Sequence, residues 1–475
     1  MISLKLVIED PDVVAKVNEN LPSQIRVWGI ERTNASFSAY QLCDSRIYEY
    51  LIPTYCFLPP HPESFLGKKI VELAEKEGDL EGLQSRQEEV AGFWAETYEK
   101  YLDGVIDAID PSIRDEVLKR FLYLTPSNSI DAAPERSASD WHSNTQEDHT
   151  SDTRTPMQEG NRDHDVPETS LGLEATDTQS LRERNAVADS TESDRISATM
   201  TDAEVGADLE RSHNSLAASS AGDHSKGPYD EIELQLRKLK SALVDARRAW
   251  RIPQKRLDRV KSIFSRYVGS HKYHNYTIDK TFSEASATRV IKSFNVSEKP
   301  VIIGNTEWLS LKVHGQSFMM HQIRKMVSAA AMIARCGCHE GRIQDTFLED
   351  RVNIPKAPSL GLLLERPSFD KYNDKLVEFG RQPIDFDRYK KEISEFKQRE
   401  IYERIFRDEE KDSIFLAFFS ALDSSRNASL LWLTSAGLQG MMTDVSPHSL
   451  DEANSGTHVA QMEEEDDANE VAEDS

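Results

Sequence analysis

A low-complexity stretch at 126–226 divides this 475-residue chain into two segments that are able to fold. The stretch is rich in Ser, Thr, Asp, Glu, Asn and Ala, and Trp141 is its one aromatic residue. Such a composition buries too little apolar surface to offset the entropy that a chain loses on folding. We therefore predict a disordered acidic insert at 126–226 between folded blocks at 1–125 and 227–420.

The net charge of −25 is distributed unevenly along the chain. The insert contributes −13 and the segment 421–475 contributes −11, whereas 227–420 carries +8. The segment 421–475 ends in an acidic run and is predicted to be a disordered tail. Within 237–272, twelve Lys and Arg face only two acidic residues. The overall charge therefore does not exclude a polyanionic partner for the second block.

Several protein classes are excluded by simple features of the sequence. Four cysteines are too few for a disulfide scaffold. Residues 1–10 lack the basic start of a secretory signal, and no apolar run approaches the roughly 20 residues that span a bilayer. Cys336 and Cys338 have no second ligand pair at structural-zinc spacing, so we expect free thiols and no metal.

The hydrophobic pattern favours an α+β fold. Ile2–Glu9 and Ser45–Cys56 show strand patterns, whereas Gln322–Arg335 places Ile323, Met326, Val327, Ala330 and Ala334 on one helical face. Helices and strands alternate without a strict βαβ rhythm, which favours α+β. Further elements are predicted as helices at 11–20, 66–78, 87–101, 231–249, 254–268, 340–349 and 386–406, and as strands at 25–30, 277–295, 301–313 and 361–365.

Three local groups of residues suggest chemistry. On the strand at 45–56, Arg46, Tyr48 and Tyr50 share one face, where a guanidinium and two rings suit an anionic aromatic ligand. The alternative is a half-buried strand with Tyr at favourable β positions. In 315–325, Phe318 precedes a helix start that crowds together the polar and cationic side chains of His321, Gln322, Arg324 and Lys325.

Positive charge at that helix start opposes the helix dipole, and it is tolerated more readily opposite an acid or a phosphate. The alternative is a solvated helix start. The third group, His271–Tyr276, interleaves aromatic and basic residues in a manner that suits RNA. For that segment taken alone, we favour the interpretation that it is a polar loop leading into a strand.

Four motifs together resemble one family. They are Arg-Val-Trp-Gly-Ile at 26–30, Cys-Asp-Ser-Arg-x-Tyr-x-Tyr at 43–50, Tyr-His-Asn-Tyr-Thr at 273–277 and Gly-Gln-Ser-Phe-Met-Met-His-Gln-Ile-Arg-Lys-Met at 315–326. With Ala-Pro-x-x-Gly-Leu-x-Leu at 357–364, they resemble the eukaryotic TruA-type tRNA pseudouridine synthases, in family order. The resemblance covers 1–125 and about 229–420.

The resemblance implies two ferredoxin-like halves that form a synthase core around a central basic cleft. It implies isomerisation of uridine to pseudouridine in tRNA, and in other structured RNAs as a further class, without a cofactor. Tyr48 matches the tyrosine that stacks on the base and acts as general base, and Arg324 matches the arginine that pairs with a nucleophilic Asp. Other residues expected to contact substrate are Arg46, Tyr50, Phe318, His321, Gln322, Leu362 and Leu364. The expected RNA-binding surface comprises Arg247, Arg248, Arg251, Lys255, Arg256 and Lys272.

The Asp loop of that family, Arg-Thr-Asp-Lys-Gly, does not occur in this sequence. Its expected place is just upstream of Ile2, and Asp44 cannot replace it because Asp44 alternates away from Arg46 and Tyr48 on the strand. We therefore predict that the sequence is truncated, which also fits a chain that starts on a strand. The alternative is an evolved protein without catalysis.

Two other functions stay open from the sequence. One is an RNA-binding protein of this family that has lost turnover, and the other is an acidic scaffold that acts through the insert and the tail. The resemblance implies a nuclear location, with a mitochondrial one as the alternative. We expect no membrane association and no obligate protein partner.

Overall fold

The computed structural model describes residues 1–5, 11–123 and 228–441. The predicted insert at 126–226 and residues 442–475 of the predicted tail lie outside the described residues. Residues of both predicted blocks belong to one compact unit. Its helices are α1 Val13–Glu19, α2 Phe65–Lys76, α3 Leu80–Gln87, α4 Phe93–Thr97, α5 Asp103–Asp107, α6 Pro111–Tyr123, α7 Pro228–Ala249, α8 Gln254–Ser265, α9 Gln322–Arg335, α10 Arg342–Asp345, α11 Asp370–Glu378, α12 Lys390–Phe396, α13 Glu403–Asp412 and α14 Ile414–Ser424.

An antiparallel sheet joins strands from both blocks. Its strands are β1 Ser45–Pro53, β2 Gly269–Lys272, β3 Thr288–Val296, β4 Val301–Ile303, β5 Thr306–Gly315 and β6 Leu362–Ser368. The order is β2-β3-β5-β1-β6, and β4 pairs with β5. The mixture of helices and antiparallel strands confirms the α+β class, while the division into two ferredoxin-like halves stays a prediction.

Strand β1 forms where the alternating Tyr and Ile residues predicted it. It lies between β5 and β6, so a strand of the first block is flanked by strands of the second. Its second half is fully buried, with Ile52 0% exposed. The second block therefore cannot complete this sheet without β1.

Helix α9 confirms the prediction at Gln322–Arg335, and its burial extends beyond the predicted apolar face. Every residue of α9 except Lys325 is buried. Tyr267, just after α8, donates a hydrogen bond from its hydroxyl to the Met326 carbonyl, at 2.8 Å. Small residues such as Ala330 and Ala331 let neighbouring elements approach α9 on several sides, which a one-sided pattern does not anticipate.

Two strands predicted near the N-terminus are absent from the described residues. Residues 1–5 have no regular structure, and Ile2 and Leu4 are 75% and 73% exposed. Residues 25–30 are also irregular, and Trp28 packs edge-on against Phe396 with ring centroids 5.5 Å apart. A period of two makes a strand only where a neighbouring strand supplies hydrogen bonds, and these segments have none in the described ranges.

The prediction of a disordered tail was wrong for residues 421–441. The run Leu430–Leu433 is buried, and Trp432 is 0% exposed and donates its indole N–H to the Asn353 carbonyl at 3.1 Å. Of the acidic residues in 421–475, all except Asp423 lie beyond 441. The average charge therefore concealed an apolar segment that packs against the core.

Glu409 in α13 gives the fold a specific pH dependence. It is buried, and it accepts hydrogen bonds from the Tyr55 hydroxyl and from the Phe415 N–H. Burial raises the pKa of Glu409 to about 7, against the opposing effect of these hydrogen bonds. Because the folded pKa exceeds the unfolded one, the contribution of Glu409 to stability is largest in acid and is lost as pH rises toward 7.

We expect the change Glu409→Gln to affect stability more favourably at pH 8 than at pH 5. The reason is that glutamine is neutral at both pH values, whereas Glu409 must hold a proton to be neutral. The effect of the substitution on the free energy of unfolding should differ by about 3 kcal/mol between pH 5 and pH 8. Urea unfolding of both proteins at the two pH values measures it. An equal effect of the substitution at both pH values would show that Glu409 titrates normally.

Candidate functional site

Tyr48 lies at the point where three motif segments meet. On β1 it is opposite Val313 of β5 and Leu364 of β6. The β1–β6 register shifts between Ile47 and Tyr48, which marks a bulge beside Tyr48. Bulges re-aim side chains and are frequent next to functional sites. Tyr48 is half-buried, so it belongs to the core at one side and stays accessible at the other.

Phe318 packs edge-on against Tyr48. The two ring centroids are 5.3 Å apart, with an interplanar angle of 80°. A Cβ at Gly315, where β5 ends, would lie 2.6 Å from the Phe318 ring, so glycine is required for this close approach. The Gly-Gln-Ser-Phe turn therefore folds back and fixes the orientation of the Tyr48 ring.

Arg324 connects α9 to the Ala357–Leu364 motif. Its side chain is buried, and Nε donates to the Ala357 carbonyl at 2.6 Å. The Ala357 N–H donates in return to the Arg324 carbonyl at 3.3 Å. These reciprocal bonds hold the guanidinium in one position, which a residue that pairs with a carboxylate requires.

His321 and Gln322 lie buried at the start of α9. His321 has a φ of +60°, in the left-handed region that is rare for a residue with a side chain. Gln322 is 0% exposed, and its Oε1 accepts a hydrogen bond from the Met319 N–H at 2.9 Å. Both were predicted to contact substrate, but their burial places them behind the Phe318 turn. Such backbone strain is typical of functional sites.

Tyr50 is a core residue, in contrast to the prediction that it binds substrate. It is 1% exposed, and its hydroxyl donates to the Pro358 carbonyl at 2.6 Å. Burial raises the pKa of Tyr50 well above its usual range. A Cβ at Gly361 would lie 2.3 Å from the Leu51 carbonyl oxygen, so this glycine lets the Ala357–Leu364 motif approach β1.

Three other predicted contact residues remain accessible. Leu362 is half-buried, and Leu364 is 51% exposed on the edge strand β6. Arg46 is half-buried and lies opposite Gly315 and Pro367, at the same end of the sheet as Tyr48. The accessible candidate site therefore consists of Arg46, Tyr48, Phe318, Leu362 and Leu364, with Arg324 buried behind it.

The predicted RNA-binding surface was wrong at two positions. Arg256 is 0% exposed, donates to the carbonyls of Phe57 and Ala334, and pairs with Glu89 at 3.2 Å. Arg247 donates to the Ser420 hydroxyl at 3.0 Å. Burial lowers the pKa of each arginine to about 10.

The other four members of that surface keep some exposure. Arg248 is half-buried and donates to the Glu410 carbonyl at 2.6 Å, and Arg251 donates to the Arg248 carbonyl at 2.7 Å. Lys255 is well exposed and pairs with Glu88 at 2.5 Å. Lys272 is half-buried and donates to the Glu284 carbonyl at 2.9 Å. Their contact with RNA stays a prediction.

The Tyr-His-Asn-Tyr-Thr motif is largely buried and hydrogen-bonds to a distant segment of the chain. Tyr273 and Tyr276 are 0% exposed, so their rings cannot stack on RNA bases. Asn275 donates to the carbonyls of Thr346 and Asp350, and its side-chain oxygen accepts from the Val352 N–H. The motif therefore ties the β2–β3 connection to the segment after α10.

A buried ion cluster surrounds Glu49, which the sequence patterns did not predict. Glu49 accepts a hydrogen bond from the Ser310 hydroxyl, and Lys397 lies 3.1 Å from it. Burial alone would raise the pKa of Glu49, but the hydrogen bonds from Ser310 and Tyr402 and the Lys397 charge together lower it. A carboxylate among apolar residues of β1 was a signal for such a partner, although nothing local identified Lys397.

The described residues were compared with the requirements of a metal site and of a membrane span. No three His, Cys, Asp or Glu side chains in the described ranges are grouped so as to hold a metal ion. No helix there is long and apolar enough to cross a membrane. Cys336 and Cys338 are buried free thiols, and burial raises the pKa of Cys338 to about 11.

Comparison with known proteins agrees with the arrangement of these motifs. Residues 263–370 match the family described as tRNA pseudouridine synthase. The chain is 32% identical over 469 residues to tRNA pseudouridine synthase 1 of Schizosaccharomyces pombe, which covers 98% of this chain and 79% of that protein. It is 25% identical over 424 residues to the tRNA pseudouridine(27/28) synthase of Saccharomyces cerevisiae, covering 88% and 80% respectively.

Other relatives are longer than this chain. It is 34% identical over 426 residues to tRNA pseudouridine synthase 1 of Eremothecium gossypii, covering 89% of this chain and 61% of that protein. The chain thus spans about three fifths of the length of this relative. On the identity and coverage of these matches, the chain belongs to the TruA-type tRNA pseudouridine synthase family.

Proposed function

We propose that this protein isomerises uridine to pseudouridine in tRNA. One observation carries the proposal: three motifs of the family meet around one accessible tyrosine. Tyr48 contacts Phe318, Arg324 is bonded to Ala357, and Tyr48 lies opposite Leu364. The names of the related proteins give the substrate class, tRNA.

The proposed reaction conserves atoms and electrons. The bond between the ribose and N1 of the base breaks, the base turns, and a bond forms between the ribose and C5. The proton on C5 leaves and N1 gains a proton, so neither an oxidant nor a cofactor is consumed. We propose that Tyr48 stacks on the base and takes the C5 proton, that Leu362 and Leu364 pack near the base, and that Arg324 holds the carboxylate of the nucleophilic Asp.

The wider assignments are proposals as well. The proposed core has two ferredoxin-like halves that share the sheet, with tRNA in a basic cleft between them. The sheet supports this arrangement because β1 of the first block lies between β5 and β6 of the second. A nuclear location and action on other structured RNAs follow from the family resemblance and are proposed on that basis.

Nucleoside analysis tests the proposed reaction. An unmodified tRNA transcript is incubated with the 475-residue chain, and separately with an extended chain that carries an Arg-Thr-Asp-Lys-Gly loop ahead of Met1. Digestion and chromatography then separate pseudouridine from uridine. We expect pseudouridine with the extended chain and none with the 475-residue chain, because this sequence contains no such loop.

A second candidate function is RNA binding without catalysis. It is favoured by the same sequence observation, the lack of an Arg-Thr-Asp-Lys-Gly segment. This candidate predicts that both chains bind tRNA and that neither produces pseudouridine. Turnover by the 475-residue chain would refute it, and would also refute the need for that loop.

The basic residues that keep some exposure offer a test of RNA binding by itself. We expect the double change Lys255→Glu and Lys272→Glu to weaken tRNA binding by about tenfold or more and to flatten its salt dependence, because each lost phosphate contact removes roughly 0.9 from the slope. Fluorescence anisotropy at several salt concentrations measures both effects. Lys411→Glu, on α13 and 79% exposed, is the matched control. Equal binding by the double variant and the control would exclude this surface.

A further inference from the structure

A cavity of about 510 Å³, lined by both polar and apolar side chains, opens beside the start of α9. Its walls include Asn275, Lys325, Arg351, Asn353 and Ser429, and none of its lining residues is acidic. The lining segment 351–354 leads into Ala357, whose carbonyl accepts a hydrogen bond from the Arg324 side chain, so the cavity is linked to the candidate site through this segment. Its volume falls in the range of small-ligand pockets, which is ample for a phosphate with part of a nucleotide.

Hydrogen bonds fix the positions of the polar side chains that line the cavity. Asn353 donates from Nδ2 to the Ser429 hydroxyl at 2.9 Å, and its carbonyl accepts from the indole of Trp432. Arg351 donates from Nη1 to the carbonyls of His274 and Lys280, at 2.9 and 3.0 Å. These bonds position a guanidinium, an amide and a hydroxyl around one space.

The charge of the cavity selects an anion. Arg351 is exposed, and among the described residues it forms no ion pair with a carboxylate. Lys325, which also donates to the Thr277 carbonyl at 3.3 Å, adds a second cation. Two cations with amide and hydroxyl donors form the set that binds phosphate oxygens in protein–RNA contacts.

We propose that this cavity binds a backbone phosphate of the RNA strand that enters the candidate site. This inference rests on the proposed function. A phosphate held in this cavity would fix the strand beside the segment 351–354, which leads into the Ala357–Leu364 motif. The cavity residues act as positioning residues for the target nucleotide, because they set where the flexible strand lies before its base leaves the stack.

Binding measurements on the 475-residue chain test the inference. Two variants are compared: Arg351→Gln, which removes a charge, and Asn353→Asp, which places a carboxylate in the cavity. The carboxylate can accept a hydrogen bond from the Ser429 hydroxyl, in place of the bond that Asn353 donates to it. Arg407→Gln, a side chain 70% exposed on α13, is the control for lost charge. Thermal unfolding verifies that each variant is folded, and the near-isosteric Asn353→Asp keeps the test valid if Arg351→Gln unfolds.

We expect both cavity variants to bind tRNA about fivefold or more weakly than the unchanged chain at 0.1 M salt, with the salt slope of Arg351→Gln reduced by roughly 0.7 to 0.9. The Arg407→Gln control should bind within twofold of the unchanged chain. Unchanged affinity and slope in both cavity variants would overturn the inference. Loss of tRNA binding by the unchanged chain would instead count against the proposed function.

A parallel experiment distinguishes an RNA phosphate from free phosphate. Inorganic phosphate and uridine monophosphate are added separately, and the melting temperature is measured for the unchanged chain and for Asn353→Asp. The inference predicts that tRNA affinity depends on the cavity. If phosphate stabilises only the unchanged chain while tRNA binds both proteins equally, the cavity serves a free anion and the inference is wrong.

Discussion

Replacing Tyr48 with phenylalanine is expected to lower the rate of pseudouridine formation by about 10²- to 10⁴-fold, the usual contribution of a general acid or base. The change removes one hydroxyl and keeps the ring that packs at 5.3 Å against Phe318. Stacking on the target base should therefore survive, and tRNA should bind within about twofold. The loss is expected in kcat rather than in KM, since the proton on C5 is removed after the base is bound.

The measurement uses the extended chain in single-turnover conditions, with tRNA binding followed separately. Tyr40→Phe is the matched control, because Tyr40 is 82% exposed and lies outside the site. It should retain full activity. If Tyr48→Phe also retains full activity, Tyr48 does not act as the base. A loss of tRNA affinity with an unchanged kcat would assign Tyr48 to binding alone.

Removing Asp423 is expected to destabilise the fold by about 3–5 kcal/mol, the cost of breaking a buried ion pair from one side. Asp423 pairs with Arg335 at 2.5 Å, and both side chains are 4% exposed. Arg335 also lies over the Phe419 ring, 4.8 Å from its centroid. In Asp423→Ala the guanidinium would stay buried without its carboxylate, at the contact between α9 and α14.

Denaturant unfolding of Asp423→Ala and of the unchanged chain measures this cost. Asp387→Ala is the control, because Asp387 is 66% exposed and pairs with Arg366 on the surface. Exposed pairs contribute at most about 1 kcal/mol, so the control should unfold almost like the unchanged chain. A loss below 1 kcal/mol for Asp423→Ala would mean that α14 is not held by this pair.

The sequence predicted elements whose pattern is local. Strand β1 and helix α9 both appear where periodicity placed them, since alternation and apolar spacing act within a few residues. The resemblance also predicted that separated motifs meet, and Tyr48, Phe318 and the Ala357–Leu364 segment do so. Within the described residues, the strand patterns at 2–5 and 25–30 form no strand, because a strand depends on a partner that periodicity does not reveal.

Side-chain exposure was the least predictable property. Arg256 lies in a basic helix that suggests an RNA surface, yet its guanidinium satisfies the Phe57 and Ala334 carbonyls in the interior. Likewise, Tyr273 and Tyr276 lie in an aromatic and basic segment but pack inside. Whether a cation or an aromatic ring faces solvent depends on which elements cover it, and those contacts join residues far apart in the sequence.

We propose that this protein removes the proton from C5 of a uridine in tRNA and joins C5 to the ribose. A tRNA transcript labelled with tritium at C5 of uridine measures that step directly, because the label must leave for water when the new bond forms. We expect the extended chain to release tritium in proportion to the pseudouridine formed. If a folded extended chain binds this tRNA and releases no tritium, the proposed function is contradicted.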